Sequence, residues 1–233
     1  MQMATETFEI SYDFDCDDGS KRKFRITIDK KTVEIIDEPQ RTEWAKMSNF
    51  RCVHCPLKNA EYCPLALRLP AIIEFFSNIY SYQTAKIRVK TEERTYVKET
   101  SVQHGLSSLL GIIMPASGCP VMAKLKPMVP FHLPFASYAE TEYRVFSTYL
   151  LAQYLRHKKG LSADWEMEKL AELYEEIRLV NQNVVRKLKD LSQKDANLNA
   201  VVILDTFTNF ISFSLAGTNF EDFEDYFSVY FEK

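Results

Sequence analysis

Apolar and polar positions change rhythm along the chain. Between residues 7 and 36 the runs FEISYDF, KFRITI and TVEII alternate or carry β-branched and aromatic residues, with Asp17, Asp18 and Gly19 as turn residues. That period of two predicts a β meander. TAKIRVK and RTYVKE alternate again around a turn at Thr91 to Glu93, which predicts a second hairpin with one face toward water. Leu65 to Ile79 is apolar enough for a buried helix, with Pro70 kinking it or resetting its start. Ser101 to Met114 reads as a helix capped by Thr100 or Ser101.

The last 95 or so residues take up a helical period. Glu140 to His157 predicts a helix stopped near Gly160. Asp164 to Leu191 predicts a long one, its apolar positions 170, 173, 177, 180, 184, 188 and 191 forming one stripe. Leu198 to Leu215 predicts a third, and the tail FEDFEDYFSVYFEK a short final one. Two segments have no period: residues 48–64, SNFRCVHCPLKNAEYCP, and residues 115–137, which hold five prolines. A loop as long as the second is usually functional or wraps a site. The expected fold class is α+β: an antiparallel meander and hairpin with helices in residues 1–137, and a helical bundle in residues 138–233, either as two parts or as one continuous domain.

Composition narrows the functional classes. Six glycines, with neither a G-x-x-x-x-G-K nor a G-x-G-x-x-G pattern, leave no phosphate cradle. A net charge of −3 without a basic block gives no indication of nucleic-acid binding. The start, MQMATETFEI, does not read as a secretory signal. Thr100 to Ala123 is uncharged and long enough to span a bilayer, but Gln103, His104, its serines and the break at Pro115 favour a buried helix and a loop. Five cysteines without an export signal point to reduced thiols, hence to metal or redox chemistry in the cytoplasm.

The spacing is Cys52-x2-Cys55-x7-Cys63, with 55 residues between Cys63 and Cys119. Two residues between cysteines let both sulfurs face one point in a tight turn, as in zinc knuckles and redox motifs. A closed tetrahedral zinc site needs four ligands, and Cys119 is the best fourth, with His54, His104 and His132 as substitutes. Cys55, Cys63 and Cys119 each precede a proline, which suits the first position of a helix. A cysteine at such an N-cap is expected to have a lowered pKa. Cysteine before proline is also common at iron–sulfur ligands, although the ferredoxin spacing is absent. Zinc is the first expectation; an iron–sulfur cluster or a redox thiol pair is the alternative. Against all three stands packing as small buried hydrophobes, the reading preferred for Cys16.

Other candidates have plainer explanations. His132, in Pro130-Phe-His-Leu-Pro134, precedes Glu140, Glu142 and Arg144 and could serve as a general base, or simply pack. His104 and Ser107 share a helix face, but no G-x-S-x-G surrounds the serine. Lys124 and Lys126 are expected to be solvated. The tail aromatics, Phe220, Phe223, Tyr226, Phe227, Tyr230 and Phe231, are expected to pack back on the protein's own helices rather than into a partner's groove. The stripe of the long helix fits intramolecular core better than a homodimer seam between C-terminal helices.

The segments FRCVHCPLKNAEYCPLA, HGLSSLLGIIMPASGCP and FHLPFASYAETEYR, within residues 45–160, resemble those of a family of uncharacterised bacterial proteins. The resemblance groups the cysteine–proline sites into one pattern and implies a bacterial, cytoplasmic source, but no activity. The resulting expectation is a non-enzymatic zinc-binding protein with an interaction or regulatory role and an unknown protein partner. The alternatives are a redox protein or sensor, and an enzyme whose pocket is lined by residues 115–137 with His132 as its working group.

Overall fold

The computed structural model describes residues 6–189, 195–217 and 221–231. Its N-terminal half is a four-stranded antiparallel sheet of order β2-β1-β3-β4, made of β1 (Thr7–Cys16), β2 (Lys21–Asp29), β3 (Thr84–Lys90) and β4 (Thr95–Ser101). The predicted turn joins β1 to β2: Gly19 takes φ +83° and its N–H donates to the Cys16 carbonyl. The expected third strand of the meander does not form, and TVEII keeps a single bridge, Ile28 to Ile35. The Asp29 carboxylate accepts from the N–H groups of Lys31 and Thr32, and Val33 has φ +54°; this turn diverts the chain. Ile35 N–H then donates to the Ala116 carbonyl.

Alternation on the strands sets the buried face. Ile10, Tyr12, Phe14 and Cys16 from β1, Ile26 and Ile28 from β2, and Ala85, Ile87 and Val89 from β3 all lie in the core. α3 (Val102–Ile113) crosses this face, and Gly105 makes the approach feasible, since a Cβ there would run into Ile87 Cδ1 and Phe14 Cε1. Ser101 is its N-cap residue. Before it come α1 (Met47–Phe50), a 3-10 turn at Ala66–Arg68 and α2 (Pro70–Phe76), so Pro70 does reset the helix start.

The C-terminal region is helical: α4 (Tyr138–Lys158), α5 (Glu168–Leu188), α6 (Ala196–Gly217) and α7 (Glu221–Phe227). Ser137 caps α4 in a capping box, its hydroxyl accepting from Glu140 N–H while the Glu140 carboxylate accepts from Ser137 N–H. α5 begins later than its sequence pattern predicts, because the Asp164 carboxylate ends a separate turn by accepting from Glu168 and Lys169 N–H. Its stripe is core: Leu170, Ile177, Val180, Val184 and Leu188 are buried, while position 191 falls outside the described residues. The main core joins Ile177, Val180, Val184, Ala200 and Val201 to the sheet's apolar face, so both parts of the chain contribute to it. Of the tail aromatics, Phe223 packs on Tyr143 and Phe146, whereas Tyr226, Tyr230 and Phe231 are exposed and Phe220 lies outside the described residues. No helix among the described residues is long and apolar enough to cross a membrane.

Candidate metal centre

Three stretches of chain bring the four predicted cysteines together. In the first, Cys55 N–H donates to the Cys52 carbonyl at 3.1 Å, closing the turn that C-x2-C implies. The loop is closed at its base by Met47 N–H to Glu61 O, 2.8 Å, and Cys63 N–H to Ala45 O, 2.8 Å. Arg51 spans it, donating to the carbonyls of Leu57 and Lys58.

Cys63 and Cys119 sit in matching turns. In each, proline follows the cysteine and the cysteine carbonyl accepts from the N–H four residues on, Leu67 to Cys63 at 3.1 Å and Ala123 to Cys119 at 2.9 Å. In each, too, the thiol receives the N–H groups two and three residues on: Leu65 and Ala66 for Cys63, Val121 and Met122 for Cys119. Each sulfur is thus met by N–H donors of the turn ahead of a short 3-10 helix, although the N-cap residues of those helices are Leu65 and Val121 rather than the cysteines, and no helix follows Cys55-Pro56. The two turns lie side by side, and a Cβ at Gly118, φ +90°, would stand 3.5 Å from Pro64 Cβ.

Every pair among Cys52, Cys55, Cys63 and Cys119 is close enough to repel as thiolates. As placed, however, no three His, Cys, Asp or Glu side chains among the described residues stand close enough to share a metal ion. All five cysteines are free. The expected lowering of the Cys-Pro thiol pKa is reversed on balance for Cys63 and Cys119. Burial pushes Cys63 up to about 11 although its two N–H donors pull the other way, and it raises Cys119 likewise. Cys52 is pushed up to about 12, first by burial and then by its neighbours' charge, against the pull of Asn183. Desolvation of an anion outweighs two neutral donors here.

The agreement with a metal site is one of donor chemistry, not of placement. Four thiols, two of them already provided with N–H donors to a sulfur anion, are a tetrahedral zinc ligand set in kind and number. Asn183, buried on α5, donates to Cys52 Sγ at 3.3 Å and to the Phe50 carbonyl at 2.9 Å. Sequence reading missed it, because a lone asparagine in a helix gives no signal of a partner 131 residues away. His54, between Cys52 and Cys55, has both ring nitrogens buried without a hydrogen-bond partner among the described residues. Cys16 is buried in β1, as expected of a packing residue.

The other two histidines face elsewhere. α3 turns His104, Ser107, Ser108 and Gly111 toward a cavity of about 460 Å3 that is also walled by Met122, Met128, His132, Arg144 and Tyr174. His132 Nε2 meets Tyr12 Oη at 2.5 Å, and Tyr12 Oη meets Ser108 Oγ at 2.8 Å. Burial, reinforced by Arg144, holds the imidazole neutral with its pKa down to about 3. Its expected carboxylate neighbours are otherwise engaged: Glu140 is in the α4 capping box, and neither Glu140 nor Glu142 lines the cavity. His104 Nδ1 bonds Ser101 Oγ at 3.2 Å. Lys126 pairs with Glu34 at 2.6 Å.

A mixed α+β fold, an antiparallel four-stranded sheet followed by a helical C-terminal region, is thus the structural class of this protein. Residues 10–228 match the model of a family described as a domain of unknown function, DUF6901, and the chain belongs to that family. No curated protein and no solved structure matches it.

Proposed function

We propose that this is a metal-stabilised cytoplasmic protein with an interaction or regulatory role, in which Cys52, Cys55, Cys63 and Cys119 hold one structural zinc ion. The observation that carries the reading is the convergence of four thiols from three stretches of chain, two of them in matching Cys-Pro turns with paired N–H donors. Zinc would draw the thiols into their anionic form and fasten residues 52–63 to the start of residues 119–125. In small zinc fingers the same chemistry contributes an apparent ~10–16 kcal/mol of binding. The raised thiol pKa values weigh against a reactive redox thiol, which needs a stabilised thiolate. An iron–sulfur cluster would use the same four sulfurs.

The test is elemental analysis with an absorbance spectrum, on protein purified without oxygen and without a metal-binding tag. About one zinc per chain, lost in Cys52→Ser and Cys119→Ser, is the expected result. Iron with acid-labile sulfide and a brown colour would replace the structural reading with a redox or sensing one. Protein free of any metal would overturn the proposal and leave the four thiols as packing groups.

A further inference from the structure

The cavity beside α3 has a composition that selects its occupant. Among the described residues its wall carries two cationic side chains, Lys98 and Arg144, and no Asp or Glu. Arg144 is half-buried, and burial lowers its pKa. Its Nη2 donates to the carbonyls of Met128, 3.2 Å, and Phe131, 3.4 Å. Its Nε and Nη1 protons have no protein partner among the described residues, and it forms no ion pair there. The nearest acid influence, Glu140, is bound to Ser137 N–H at 2.7 Å and does not line the space. A half-buried guanidinium with unpaired N–H groups and no carboxylate beside it is a ready partner for an anion that enters the cavity.

The rest of the wall is apolar and adaptable. Met114, Met122 and Met128 line it together with leucines, isoleucines and phenylalanines of α3, α6 and the 115–137 segment. Methionine walls repack around flexible apolar chains. The volume of about 460 Å3 falls in the ~300–1,000 Å3 range of small-molecule sites.

We propose that this cavity binds an aliphatic monocarboxylate, on the order of ten carbons long, with its carboxylate on the free edge of Arg144 and its chain among the methionines. The site is separate from the cysteine cluster and does not depend on the zinc reading.

Gly111 provides an independent handle. It lines the cavity, and a Cβ at that position would meet nothing within 4 Å. A side chain introduced there starts in open space and extends into the cavity's volume. The experiment is isothermal titration calorimetry on the full chain, with decanoate and decan-1-ol below their aggregation limits, for the wild type, Arg144→Gln and Gly111→Phe. The wild type is expected to bind decanoate saturably, about tenfold or more tighter than the alcohol, as a charge-assisted hydrogen bond allows. Arg144→Gln should bring the two ligands within about twofold of each other. Gly111→Phe should abolish binding of both while unfolding at or above the wild-type urea midpoint. No saturable decanoate binding by the wild type, equal affinity for the alcohol, or undiminished decanoate binding by Gly111→Phe would each overturn the proposal. If Arg144→Gln fails to fold, the wild-type ligand ratio and the Gly111→Phe result still decide.

Discussion

Two glycines six residues apart on α3 should respond to the same substitution with opposite signs. Alanine is favoured over glycine inside a helix by about 1 kcal/mol, because glycine loses more backbone entropy on folding. At Gly111 nothing within 4 Å opposes a methyl group, so Gly111→Ala should stabilise by about 0.5–1 kcal/mol. At Gly105 the new Cβ overlaps Ile87 Cδ1 and comes within 2.8 Å of Phe14 Cε1. Ile87 and Phe14 are almost wholly buried, and Phe14 is wedged against Phe76 at 5.1 Å, so neither can swing aside. Overpacking of this kind costs about 1–3 kcal/mol. Set against the propensity gain, Gly105→Ala should destabilise by about 1–2 kcal/mol. Ile87→Val removes the worst-placed methyl. The double mutant Gly105→Ala/Ile87→Val should therefore be more stable than the sum of its parts by about 1 kcal/mol. Urea unfolding of the four variants, read as midpoint at constant slope, measures all of these. A Gly105→Ala midpoint at or above that of Gly111→Ala would refute the close packing of α3 on the sheet.

Three further outcomes are expected. His132 is held neutral with a pKa near 3 in the fold against about 6.5 unfolded. Its share of stability is therefore full above pH 6.5 and falls by about 1.4 kcal/mol per pH unit below it, until the folded pKa is reached. Urea titrations at pH 7 and pH 5 should show about 2 kcal/mol more loss in the wild type than in His132→Gln, and equal losses would show that the imidazole is not buried neutral. Ser137→Ala removes the hydroxyl of the α4 capping box and should cost about 1 kcal/mol by chemical denaturation, whereas Ser137→Asp should be close to neutral. On the zinc reading, a chelator should lower the thermal midpoint and open residues 119–128 to proteolysis; an unchanged midpoint with the metal removed would show that the ion holds nothing in place.

What the sequence made legible was local. The period of two in TAKIRVK survives as the alternation of exposed and buried residues on β3, whereas α4 starts two residues before the Glu140 that the sequence pattern predicts, because Ser137 caps it. The Cys-Pro turns were legible too, since proline, cysteine and the donating N–H groups all lie within four residues. The TVEII strand failed because one turn, with its Asp29 cap and the positive φ of Val33, outweighed β propensity. The expected shift of the Cys63 and Cys119 thiols had the wrong sign because burial depends on what packs from elsewhere, which spacing does not reveal.

His132 shows why the cavity was harder to read than the cysteines. Its neighbours along the chain are acids, which kept a general base open beside the plainer reading of a packed loop histidine. Its neighbours in space are Tyr12, 120 residues earlier on the first strand, and Arg144, reached across a proline-rich segment. Gln103, His104, Ser107, Ser108 and Gly111 make α3 look less apolar than a core helix should, and four of these, His104, Ser107, Ser108 and Gly111, face the cavity rather than water. Small or polar residues on the inward face of a helix are what an interior space requires, because larger apolar ones would fill it. The far wall is different in kind. From Pro115 to Met128 the chain forms only 3-10 turns of three and seven residues. Its position rests on Ile35 N–H bonding Ala116 O, on Gly118 against Pro64 and on the turn at Cys119. Of the four cysteines, Cys119 alone stands on the segment that closes the cavity, and the position of that wall rests in part on its turn.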